Sequence, residues 1–197
     1  MNRDRDPAGR PRNARPRDGL GRPLARTQAD AGQADAGQAD RVSQGDQGDW
    51  VGLPDDLVIT GPEAARCADR LLRAGRPFHA HEVLEAAWKS GPPGERDLWQ
   101  GLAQVAVGLT HAHRGNARGA VTLLRRGAAR VRAYRDRVPS AGGSGHPHGI
   151  DTTAVLATCD ELAARIELHG LAGIPAGDLR PPLMTAGPLV AAHGGDR

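Results

Sequence analysis

Three side chains able to do chemistry stand at one helical spacing: His81, Glu85 and Trp88, at i, i+4 and i+7. At about 100° per residue they share one face of a helix. An imidazole and a carboxylate one turn apart can hydrogen-bond, which fixes the ring tautomer and favours its protonated form. That is how a general base is prepared. A base also needs a nucleophile, and the stretch 78–89 holds neither Ser nor Cys, so a water would have to serve. His81-Glu82-Val83-Leu84-Glu85 approaches the zinc-binding HExxH pattern, but Glu85 stands where the second histidine belongs. That departure removes a zinc ligand, so no metal is expected, and no other cofactor.

The helix that must position these residues spans about 77–89. Its core stripe is Ala80, Val83, Leu84 and Ala87, the last three falling within about 60° of Ala80. His79, Glu82, Ala86 and Lys89 are expected to face water, and His81, Glu85 and Trp88 to occupy the flank between. The next helix, about 95–113, carries no charged residue from Leu98 to Ala112. In a chain rich in arginine, that predicts burial around most of its circumference. Leu98, Leu102, Val105 and Leu109 form its apolar stripe, and Gln100, Gln104 and His111 line the opposite side. Neutral hydrogen-bonding side chains there predict a polar layer inside the bundle. Two roles follow. His81 and Glu85 are the candidate catalytic pair, with Trp88, Gln100, Gln104 and His111 as candidate ligand-binding residues. Alternatively, the same groups form a clamp in which His81 and Glu85 satisfy the Gln100 and Gln104 amides, because buried polar groups must be paired.

The run Phe78-His79-Ala80-His81-Glu82-Val83-Leu84-Glu85-Ala86-Ala87-Trp88 fits an HxxxExxW signature. A second block, Leu98-Trp99-Gln100-Gly101-Leu102-Ala103-Gln104, is followed by His111 and by Arg114-Gly115-Asn116-Ala117. On these two blocks the span from Leu57 to Ala172 resembles a bacterial and archaeal helical family, domain of unknown function 309. The resemblance implies an all-helical fold and a candidate site, and it assigns no reaction.

Around the site the pattern predicts a single-domain, all-α bundle of about five helices. Thr60-Gly61-Pro62-Glu63 reads as a capping box opening a helix over about 62–74, with Ala64, Cys67, Ala68, Leu71 and Leu72 inward. A fourth helix covers about 117–137, with Asn116 as its cap, and a fifth runs from Asp151 or Thr152 to about His169. Residues 50–184 form the domain, and 185–197 are expected to fray. Residues 1–49 hold almost no bulky apolar side chain. They cannot offset their chain entropy and are expected to be disordered. His146-Pro147-His148 lies in a Gly-rich stretch expected to be a flexible loop.

The net charge of +3 is no evidence for nucleic acid, because Lys89 is the one lysine and the arginine bias accompanies abundant Ala, Gly and Pro. One Phe, one Tyr and three Trp leave little for base stacking. The fourth helix, Arg118 to Arg137, offers a nucleic-acid face as an alternative, but its arginines wrap around the helix. No apolar run approaches the ~18 residues of a membrane span, and the Arg-rich start has no h-region. Cys67 and Cys159 are far apart and read as reduced thiols of a cytoplasmic protein. The expected function is a small binding or scaffold module whose partner is a small molecule or a protein. A His–Glu hydrolase is the alternative.

Overall fold

The first helix begins where its capping sequence requires. In the computed structural model, which describes residues 58–138 and 146–184, the Thr60 N–H donates to Glu63 Oε2 at 3.2 Å and its hydroxyl donates to the same oxygen. The hydroxyl bond first, and the N–H bond second, hold the Glu63 carboxyl below its ordinary pKa. Helix α1 then spans Gly61–Arg73. It closes in a Schellman turn: Gly75, at φ +69°, donates to Leu72 O, and Arg76 N–H donates to Leu71 O. Helix α2 follows at once over Pro77–Ser90, and a short 3-10 turn, Pro93–Glu95, leads into α3, Arg96–His113. A second Schellman turn at Gly115 (φ +79°) ends α3, and the Asn116 side chain accepts from Gly119 N–H at 2.9 Å to open α4, Ala117–Arg137. The Asp151 carboxylate accepts from Ala154 N–H and opens α5, Thr152–His169.

Five α-helices among the described residues make the fold all-α, as the periodicity predicts. The stretches 1–57, 139–145 and 185–197, which include the tail and the fraying end expected above, lie outside the described residues.

Each helix packs most closely on its neighbours in sequence. The expected apolar stripes are buried: Ala64, Cys67, Ala68, Leu71 and Leu72 on α1, and Val155, Cys159, Leu162 and Ile166 on α5. At the α3–α4 crossing the backbones themselves meet. A Cβ on Gly101 would stand 2.9 Å from Gly127 O, and one on Gly127 would stand 2.7 Å from Gly101 O.

Residues 171–184 close the row between α1 and α5. Ile174, Leu179 and Leu183 are buried in the core. Leu183 N–H and Met184 N–H both donate to Asp69 Oδ1 on α1, at 2.7 and 3.1 Å. On the other side Asp151 N–H donates to Leu183 O, Arg165 of α5 pairs with Asp178 at 2.7 Å, and an antiparallel bridge joins Ile150 to Met184.

One expectation fails on α2. His79, expected in water, is 0% exposed. Because α2 lies between α1 and α3, it buries a wider arc than the four-residue stripe, and Pro77 and His79 fall at the two edges of that arc. The Phe78 ring meets the His79 ring edge-on at 5.9 Å.

The arginines of α4 reach acids on both sides. Arg130 and Arg137 share Asp97 of α3, while Arg125 and Arg132 pair with Glu167 and Asp160 of α5. Exposed pairs of this kind contribute about 0–1 kcal/mol each. Their structural effect is to commit much of the α4 charge to its neighbours.

Candidate functional site

The spacing of the motif sets its geometry. On α2, His81 Nε2 stands 3.5 Å from Glu85 Oε2, and Lys89 Nζ stands 3.1 Å from Glu85 Oε1. One carboxylate therefore serves two bases, one turn before it and one turn after. That His81–Glu85 separation is long for a hydrogen bond. The two side chains are 27% and 36% exposed. Trp88, the third member, is half-buried and packs against the core.

The electrostatics reverse an expectation. Burial lowers the His81 pKa, Glu85 opposes that shift, and Lys89 reinforces it. Desolvation outweighs the carboxylate because Glu85 is shared and partly hydrated. His81 is consequently neutral at pH 7. Its Nδ1 is buried and has no hydrogen-bond partner among the described residues.

This shift has a sign. With the folded pKa below the unfolded value, the unfolded chain binds more protons in the window between them, so stability rises with pH there. The contribution is complete above about 6.5 and is lost as pH falls toward the folded value. Urea melts between pH 5 and 8 should show stability falling with acid, and His81→Gln should flatten part of that slope. The remainder belongs in part to His113, whose pKa is also lowered, chiefly by burial. An unchanged slope in His81→Gln would contradict the assignment.

The glutamines occupy a different place from the one expected. Gln100 and Gln104 are half-buried, and neither bonds to His81 or Glu85; Gln104 Oε1 is buried with no partner among the described residues. The faces of α3 explain this. Gly101, Val105 and Gly108 meet α4, and Leu98, Leu102 and Leu109 enter the core. What remains is an outer edge of Gln100, Gln104, Val107 and His111, so the polar layer lies at the rim of the bundle and not within it. The clamp does not form. His111 is already engaged: its Nδ1 lies 2.7 Å from Asn116 Nδ2 and accepts from that amide, bracing the α4 cap. A surface depression of about 410 Å³ beside it is lined by Asn116, Arg118, Gly119, Thr122 and Leu123, and includes no residue of the α2 flank. Of the six candidates, the structure brings His81, Glu85 and Trp88 together and leaves the other three on α3.

A second polar cluster escaped the sequence reading. Glu95 Oε2 accepts from Trp99 Nε1 at 2.9 Å and lies 2.9 Å from His148 Nε2, while the His148 ring stacks on Trp99 at 5.1 Å. His148, expected in a flexible loop, is held at φ 55° between this indole and Gly61, whose missing Cβ leaves room for the ring. The Glu95/Trp99 half was legible as an i, i+4 pair. The His148 half lies 53 residues away and has no local signal.

Nucleophiles are scarce near either histidine. Ser90, the one serine among the described residues, donates to Ala86 O. Cys67 and Cys159 are buried, and burial pushes both thiols up, Cys159 to about 12. Among the described residues no group of three or more His, Cys, Asp or Glu is placed to hold a metal, and no helix is long and apolar enough to cross a membrane.

"Uncharacterized protein YpuF" of Bacillus subtilis (strain 168) is 46% identical over 48 residues, which cover 24% of this chain and 28% of YpuF. The chain thus spans little more than a quarter of the length of the curated relative it matches. No solved structure matches. Residues 66–123, which run from α1 into α4 and contain His81, Glu85, Trp88, Gln100, Gln104 and His111, match the family model described as "Domain of unknown function (DUF309)".

Proposed function

We propose that this chain is a cytoplasmic binding or scaffold module that recognises its partner through the α2 flank of His81, Glu85 and Trp88. The observation that carries the reading is the flank itself: the His81 and Glu85 side chains, 3.5 Å apart, are 27% and 36% exposed beside a half-buried Trp88. A partly exposed imidazole and carboxylate can exchange their hydrogen bonds to water for bonds to whatever docks on them. Glu85 and Trp88 supply an acceptor and an apolar plate on the same face. The hydrolase alternative receives less support, because burial lowers the His81 pKa and so weakens it as a general base. The Arg-rich α4 receives less still, since four of its arginines are paired to acids of α3 and α5.

The reading is tested by following α2 amide resonances during titration with small amides and carboxylic acids. Wild type should shift at residues 78–89, and Trp88→Ala should lose the response while keeping its fold. Hydrolysis of an activated ester by wild type, abolished in a folded His81→Ala, would overturn the reading in favour of the enzyme.

A further inference from the structure

Four of the six half-buried residues of α2 have an order that the three-residue motif conceals. Phe78, His81, Glu85 and Trp88 are spaced three, four and three apart. That is the a/d spacing of a coiled-coil seam. All four are half-buried, and the Phe78 and His81 rings lie 6.4 Å apart, so neighbouring side chains meet along the helix. Aromatic side chains are scarce in this chain, which has one Phe, one Tyr and three Trp. Tyr134 and Trp99 are buried in the core, yet Phe78 and Trp88 are placed on an outer seam.

The seam is also its own complement when reversed. An antiparallel copy, with its two-fold axis beside Val83, lays Phe78 on the partner's Trp88 and His81 on the partner's Glu85. Aromatic layers then close both ends around two imidazole–carboxylate layers. A parallel copy would put Glu85 on Glu85, which like charges oppose. An isologous interface requires this kind of self-complementarity.

We propose that the partner of the α2 flank is a second copy of this chain, docked antiparallel through Phe78, His81, Glu85 and Trp88. The proposal rests on the reading of that flank as a recognition surface. Four half-buried side chains offer a small interface, so the association is expected to be weak, with a dissociation constant of about 100 µM.

Sedimentation equilibrium of the full chain, from about 5 to 500 µM, is the test, a range set by that expected affinity. The wild-type mass should rise from 20.6 kDa toward twice that value. His81→Glu sets a carboxylate against the partner's Glu85, so that variant alone should stay at the single-chain mass, whereas Glu85→Lys sets an ammonium against a neutral imidazole and serves as the complementing chain. An equimolar mixture of the two should regain the doubled mass, because the new carboxylate of one chain then faces the new ammonium of the other. No effect confined to one chain can be complemented by mixing. Where either charge variant loses its helical circular dichroism, Trp88→Ala substitutes, with a weakening of about tenfold or more expected from loss of the outer layer. A wild type of single-chain mass at the highest concentration overturns the proposal, as does a dimer that neither His81→Glu nor Trp88→Ala weakens. A single-chain wild type whose α2 resonances still respond to the amide and acid probes leaves the recognition surface standing and removes only the self-docking. Loss of both responses removes both.

Discussion

Gly101→Ala should lower the melting temperature by roughly 5–15 °C. The methyl group would stand 2.8 Å from Val131 Cγ2, 2.9 Å from Gly127 O and 3.0 Å from Val131 N. Two of these three are backbone atoms, which no rotamer change can move aside. To admit the methyl, α3 and α4 must separate, and Leu98, Leu102, Leu124 and Val131, all buried, must lose contact along their length. Overpacking of this kind costs about 1–3 kcal/mol, and a rigid crossing belongs at the upper end of that range. Gly127→Ala should match it, because the approach is reciprocal. Gly94→Ala is the control: nothing lies within 4 Å of its Cβ position, and its melting temperature should be unchanged. Thermal melts of the three variants decide the matter, and a Gly101→Ala protein as stable as wild type would mean that the two helices do not cross this closely.

The second large effect is expected at Asp69. This carboxylate is 9% exposed and takes three donors: Leu183 N–H and Met184 N–H on Oδ1, and Arg73 Nε on Oδ2 at 2.8 Å. Asp69→Ala leaves a buried N–H unsatisfied, at a cost of about 1–3 kcal/mol. The loss falls on the segment and not on the whole bundle, since Asp69 is its anchor to α1. Amide exchange at Leu183 and Met184 should therefore accelerate by roughly 10- to 100-fold while the α3 core amides keep their protection. Asp69→Asn retains an oxygen for the two N–H groups and should recover most of the effect. Equal exchange in wild type and Asp69→Ala would show that the segment is held by Leu179 and Leu183 burial alone.

These two effects mark where sequence reading succeeds and where it stops. Helix starts and stops were legible because their causes are local: Glu63 reaches back three residues to Thr60, and Gly75 and Gly115 adopt the left-handed turn that closes a helix. The apolar stripes were legible for the same reason, as periodicity in a single segment. His79 was misplaced because the width of a buried arc depends on how many neighbours a helix has, which one helix does not encode. The glutamine edge of α3 was read as interior because uncharged side chains occur both in cores and on rims. The direction of the His81 shift was missed because the Glu85 attraction is local and visible, whereas desolvation by the rest of the bundle is not. Asp69, one acid among 23 acidic residues, gave no sign that it would hold a segment more than a hundred positions away.

The closure of the helical row by residues 171–184 has a topological consequence. The first helix opens at Gly61, where a Cβ would stand 2.5 Å from the His148 ring, and the described body ends at Met184, whose methyl is 2.7 Å from where a Cβ on Gly149 would stand. Entry and exit thus flank the same three residues, His148 to Ile150, and the body is nearly a closed ring in connectivity. Joining those two points and opening the chain at the exposed Pro92–Gly94 corner would give a circular permutant with every helix and every crossing kept. Stability in this fold resides in the order of contacts around the ring, and hardly at all in which residue happens to come first.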